Sequence, residues 1–167
     1  MWWAVVPGWA DPMRESSTAV GLSTILVATL TSHAGVLVVD AHGFSDTTGV
    51  AVVRVFAKVE SIARDAPLLT KRARIRAGRA EARFDTLPAG KWAVMVFHDR
   101  NANGKVDHGW NRLPLEDMGF SNGFVPTLFT GVPTWEKFAV PLIGPMDTLR
   151  MVVKPFSLTN SEQRKPL

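Results

Sequence analysis

Residues 87–99 read LPAGKWAVMVFHD. Leu87-Pro88-Ala89-Gly90 has the composition of a turn, because proline fixes φ and glycine frees it. From Trp92 onward the side chains alternate. Trp92, Val94 and Val96 fall on one face of an extended chain, and Ala93, Met95 and Phe97 on the other. Both sets are apolar. A strand with two apolar faces needs cover on both sides, so the stretch predicts a central strand between two packed layers.

The flanking sequence carries the same period of two. GVLVVDA (35–41) and GVAVVRVFAK (49–58) read as strands rich in β-branched residues, separated by the turn-forming HGFSDTT. ESIARDAPLL (60–69) reads as a connection with a helical turn before Pro67. In KRARIRAGRAEARF, Ala73, Ile75 and Ala77, then Ala80, Ala82 and Phe84, alternate with charged residues around Ala77-Gly78. That pattern predicts a hairpin with a small apolar inner face and a charged outer face. An anion-binding strip of arginines is the functional reading of this hairpin; Glu81 and Asp85 dilute the charge and favour a solvated sheet face. KFAVPLI (137–143) and DTLRMVVK (147–154) read as closing strands. The sum is an all-β chain of about seven strands, an antiparallel sandwich of immunoglobulin-like or prealbumin-like type, with one long irregular loop over 99–135. The 87–92 turn leading into an aromatic resembles the corner motif of immunoglobulin-like sandwiches, with Trp in place of Tyr.

The chain has 167 residues, 46% hydrophobic and 20% charged, which suits one globular domain and argues against disorder. The absence of cysteine excludes disulfides, thiolate metal sites and cysteine nucleophiles. Arg14 precedes an apolar run, AVGLSTILVATL (19–30), and then a small-x-small step at Ser32 and Ala34. This is the pattern of a secretory signal peptide, with translation starting at Met1 or Met13. The run is too short for a membrane span. Residues 1–34 are therefore expected to be a leader, 35–154 the sandwich, and 155–167 a flexible tail. A periplasmic or secreted location follows, with no stable membrane span after cleavage. The leader sets Arg14 against Asp11 and Glu15, so the remainder is one unit more basic than the whole chain's +4. That favours weak contact with anionic surfaces, while nucleic acid is not expected for an exported chain.

The strand at 87–99 runs into DRNANGKVD (99–107), with an oxygen-bearing side chain at every second position: Asp99, Asn101, Asn103. Calcium takes six to eight oxygen ligands, which such a coil can direct inward. The backbone carbonyl of Lys105 and the carboxylate of Asp107 extend the set, and Gly104 permits the sharp bend. The twelfth position, where a bidentate Glu usually closes the loop, holds Trp110; Glu116 and Asp117 are the nearest substitutes. The same residues also suit a plain turn, since Asn, Asp and Gly bond their own backbone. With so few carboxylates, affinity is expected at about 10⁻⁴ to 10⁻³ M. A strand precedes the loop and no second helix follows, so calcium would brace the loop and not trigger an opening.

Two other chemistries match parts of the pattern. A zinc hydrolase could use His98, His108, Asp99 and Asp107, but adjacent strand residues point to opposite faces. A carbohydrate- or envelope-polymer-binding module could stack sugars on Trp110, Trp135 and Phe124. Gly119-Phe120-Ser121-Asn122-Gly123 has the Gly-x-Ser-x-Gly spacing but no strand–turn–helix context for a nucleophile, and no phosphate loop or dinucleotide fingerprint is present.

Taken together, the motifs resemble a known bacterial family. They are His98-Asp99, then Asn101-Ala102-Asn103-Gly104-Lys105-Val106-Asp107, then Pro114-Leu115-Glu116-Asp117-Met118-Gly119-Phe120-Ser121-Asn122, then Pro133-Thr134-Trp135-Glu136-Lys137-Phe138. Over about 35–154 the chain is similar to the domain of unknown function 2141. It departs from the pattern at HGWNRL (108–113) and GFVPTLFTGV (123–132). The resemblance implies a small exported β-sandwich without an assigned activity, and it ties Glu116 to the same motif set as the loop. The expected function is non-enzymatic binding at the cell envelope, with an unknown envelope or extracellular ligand and a calcium loop formed by Asp99, Asn101, Asn103, Lys105, Asp107 and Glu116.

Overall fold

The structure is a computed structural model, and it describes residues 34–125 and 134–156. Among these, eight strands form two sheets. In the first, β1 (Ala34–His42) lies between β4 (Arg79–Pro88) and β8 (Met146–Val152). In the second the order is β3 (Leu69–Ala73), β2 (Val50–Phe56), β5 (Gly90–Asp99), β6 (Met118–Phe120), and β7 (Val140–Leu142) pairs the start of β5. The pairings are antiparallel except β1 with β8, which run parallel from Val36↔Met146 to His42↔Val152. No helix among the described residues is long and apolar enough to cross a membrane.

The alternation in β5 is realised as expected. Trp92, Val94 and Val96 join the core between the sheets, with Leu37, Val39, Val53, Val55 and Phe84. Ala93, Met95 and Phe97 face a second cluster with Val52, Phe56 and Phe138, on the outer side of the same sheet. Val106, Phe120, Phe124 and Trp135 pack over it. The second apolar layer is therefore supplied by the segment after β5. Full burial of Phe138 contributes about 1.5–3 kcal/mol, and the partly buried side chains add smaller amounts, which holds the connection down with little regular structure. Phe124 is part of this cover; Leu128 and Phe129 lie outside the described residues.

The corner is also present. The Trp92 indole Nε1 donates to the Pro88 carbonyl at 3.0 Å, across the turn where the chain leaves the first sheet for the second.

Three expectations need correction. The arginine-rich 71–84 stretch turns where anticipated, with Ala77 and Gly78 at φ 48° and 72° and mutual backbone bonds between Arg76 and Arg79. Its two arms are not a hairpin, however, because β3 pairs with β2 and β4 with β1. Period-two alternation specifies which side of a strand faces the core; it does not specify the neighbouring strand. In 137–143, only Val140–Leu142 is extended, and Trp135–Phe138 is a single helical turn, α2, that drives Phe138 into the second cluster. In 99–135, β6 and a 3-10 turn at Ser121–Gly123 interrupt the supposed loop. The helical turn before Pro67 is α1, Val59–Ala63. Ala34, assigned above to the leader, opens β1; residues 1–33 and 157–167 lie outside the described residues.

Candidate functional site

Asp99 ends β5, opposite Val50, and is fully buried. The crossing is tight: a side chain at Gly49 (φ 69°) would collide with the Asp99 carbonyl and with Arg100. From there the chain coils around its own side chains. Asp99 accepts from the amides of Asn103 (Oδ1, 3.0 Å) and Gly104 (Oδ2, 2.7 Å). Asn101 Oδ1 accepts from the Asn103 amide at 3.1 Å, and Asn103 Oδ1 from the Lys105 amide at 2.7 Å. These i to i+2 bonds are what short Asn side chains do in turns. Ala102 and Gly104 take the left-handed backbone that the coil needs, at φ 56° and 78°.

Asp107 closes the coil. It accepts from Asn101 Nδ2 at 2.6 Å and from Asn103 Nδ2 at 3.0 Å. The chain then makes a narrow hairpin, His108 bridged to Pro114, and the Leu115 amide returns to the Asp107 carbonyl at 2.9 Å. The Asp117 carbonyl accepts from the His98 amide, so the returning arm runs beside the end of β5. This delivers Glu116 to the coil. Its side chain is only 4% exposed, and Oε2 has no hydrogen-bond partner. Burial pushes its carboxyl up to about 7, reinforced by the charges of Asp99 and Asp107; the amides of Arg100 and Asp107 act in the opposite direction.

Asp99, Asn101, Asn103, Asp107 and Glu116 thus surround one coil, with Lys105 joined through its backbone. Among the described residues, no three His, Cys, Asp or Glu side chains converge as a finished ligand set. The carboxylates stand apart, and the amide nitrogens of Asn101 and Asn103 occupy Asp107. The donor chemistry nonetheless fits a hard cation. The groups are oxygens, and one buried carboxylate oxygen is unpartnered. Each Asn Oδ1 accepts a single backbone amide and keeps a second lone pair that a cation could use.

Arg54 was not singled out from the sequence. Its guanidinium pairs with Asp65, donates through Nη2 to the Gly104 carbonyl at 2.8 Å and lies 5.0 Å over the Phe97 ring. It ties the coil to the outer face of the second sheet. The signal was a lone charge at a core-facing position within VAVVRVF, since charges are buried only when paired.

The remaining candidates do not come together. His98 and Asp99 point apart, as alternation requires. His98 is fully buried against Phe44 and bonds the Thr48 carbonyl at 2.8 Å, while His108 is exposed beyond the coil. Behind His98, Arg100 bonds Asp117 (2.9 Å) and Ser45 (2.7 Å), and Ser45 donates to Asp117 at 2.9 Å. The Thr48 amide, donating at 2.7 Å, holds the Asp46 carboxyl below its usual value. Ser121 is also closed off: its hydroxyl accepts from the Val94 amide at 2.9 Å and donates to the Phe138 carbonyl at 2.6 Å. Of the three aromatics considered for stacking, Trp135 and Phe124 pack on the second cluster and only Trp110 is free, 98% exposed.

Residues 39–149 match a bacterial family described as "Uncharacterized protein conserved in bacteria (DUF2141)". The chain belongs to this family. No curated protein and no solved structure matches it. In this DUF2141 chain the motif residues concentrate on one construction. His98-Asp99 ends the central strand, 101–107 forms the coil, Glu116 fills it, and Ser121 and Phe138 pin the covering layer to β5.

Proposed function

We propose that this is a non-enzymatic exported domain that binds at the cell envelope, with a calcium ion fixing the 99–107 coil and the hairpin that follows it. The observation that carries the calcium reading is Glu116. A buried carboxylate with an unpartnered oxygen, beside the charges of Asp99 and Asp107, is costly by itself and favourable around a divalent cation. Asp99, Asp107 and Glu116 would supply carboxylate ligands, Asn101 and Asn103 amide oxygens, and Lys105 its carbonyl. Calcium suits this set better than magnesium, which demands a smaller, stricter octahedron and gives up water reluctantly. The ion acts as a brace, since both arms of the coil are tied to β5. The basic balance of the chain and its leader pattern support action at an anionic envelope surface.

Calorimetric titration of the purified chain with calcium tests this reading. One site per chain is expected, at about 10⁻⁴ to 10⁻³ M, with binding lost in Glu116→Gln. Heats indistinguishable between wild type and Glu116→Gln would remove Glu116 from the site, and no heat at all would remove the ion.

A further inference from the structure

The hairpin that closes the coil carries a surface that the calcium reading does not use. Between His108 and Leu115 the sequence is HGWNRLPL, without an acidic residue. The turn is well built. The Gly109 amide donates to the Leu113 carbonyl and the Arg112 amide to the Gly109 carbonyl, both at 2.9 Å, and the Leu113 amide donates to Asn111 Oδ1 at 3.2 Å. All this structure presents an indole to solvent, with Trp110 98% and Leu115 65% exposed. Leu115 lies against Gly109, where an added Cβ would meet its Cδ2 at 3.4 Å, beside the residue that carries the indole.

The cations of the hairpin and coil, Lys105 and Arg112, are exposed. Of the nearby acids, Asp99 and Glu116 are buried, Asp117 is paired with Arg100, and half-buried Asp107 is hydrogen-bonded by two asparagine amides at the base of the hairpin. We propose that this hairpin, with Trp110 and Leu115 exposed and Arg112 and Lys105 as its cations, docks on an anionic lipid surface. The inference rests on the proposed reading of an envelope-binding domain, in which the calcium brace would add rigidity and positive charge at the base of the hairpin.

The observations favour lipid over other occupants. An aromatic such as Trp buries about 150–250 Å², and with one Leu beside it the tip falls well short of the roughly 1,000 Å² that a stable protein interface needs. A sugar site would stack its ligand against a second flat apolar face, but Trp135 and Phe124 pack on the second cluster. Indoles prefer the level of lipid headgroups, and apolar insertion combined with cations is how peripheral domains hold to anionic bilayers.

The test uses the full chain with vesicles of phosphatidylcholine alone or mixed with phosphatidylglycerol, in calcium or in chelator. The emission difference between wild type and Trp110→Phe isolates Trp110 from the other tryptophans. In calcium with phosphatidylglycerol, that difference is expected to shift to the blue and to be quenched by brominated acyl chains, with neither change on phosphatidylcholine alone. Arg112→Ala should weaken the partition about fivefold, the worth of one cation near such a surface. An unshifted, unquenched Trp110 signal overturns the docking, even if calcium still raises the melting temperature. A blue shift that grows with protein concentration without lipid also overturns it, in favour of a second copy. Quenching that persists in chelator, with no effect of calcium on melting, keeps the docking and removes the calcium reading.

Discussion

Glu116 is held by opposing demands. Without a cation its ionised form is disfavoured by burial and by Asp99 and Asp107. Replacing it by Gln removes that charge, so Glu116→Gln should stabilise the calcium-free chain by about 1–3 kcal/mol at slightly alkaline pH. In saturating calcium the gain should disappear or reverse. Denaturant unfolding in chelator and in calcium measures both signs; a variant less stable in both would make Glu116 a structural residue only. Asp99 has a simpler role, because it accepts two backbone amides whatever fills the coil. Asp99→Ala should cost about 2–4 kcal/mol even in chelator, read from the same unfolding curves. The asparagine pattern was legible in the sequence because its bonds are local, two residues apart. The contribution of Arg54 was not, because its partner at Gly104 is 50 positions away and only the sheet brings them together.

At the scale of elements, two side-chain bonds fix how strands meet. The Trp92 indole closes the corner between β4 and β5, and Phe in its place keeps most of the ring volume but loses the bond to Pro88. A cost of about 1 kcal/mol is expected for Trp92→Phe. Ser121 has a larger effect, since its hydroxyl joins β5 to α2 with no exposure to water. Ser121→Ala leaves the Val94 amide and the Phe138 carbonyl without that partner and should cost about 1–3 kcal/mol. Hydrogen exchange should then speed up more around Phe138 than in β1; a uniform acceleration or no change would place Ser121 outside the anchoring of this layer. The strands β1, β2 and β5 were readable because each side chain reports its own face. The arms β3 and β4 were misassigned as partners because the same faces point inward whether a chain folds back in one sheet or crosses to the other. The helical turn at Trp135–Phe138 was hidden for a related reason: Phe138 answers to a cluster built by distant residues, not to a local period.

For the whole molecule, the architecture explains why a loop can act as a brace. The second sheet is apolar on both sides, and its outer cover is the irregular chain after β5, so anything that fixes the coil also fixes part of the core. Stability should therefore depend on pH through Glu116. Its folded-state value of about 7 lies above the ordinary 4.5, so between these limits the folded chain binds more protons than the unfolded one. Without calcium, this group's contribution falls as pH rises through that window, and its full cost is present above it. With calcium the ionised form is the ligand, and the ion's stabilisation should grow as pH rises over the same range. The central claim, that Asp99, Asp107 and Glu116 form a calcium brace for the fold, is tested most directly by the melting temperature of the full chain against free calcium at slightly alkaline pH. With a dissociation constant near the millimolar range, about 10 mM calcium should add roughly 1–3 kcal/mol, raising the midpoint by several degrees, with a smaller effect from magnesium. A melting temperature unchanged across that range would contradict the account.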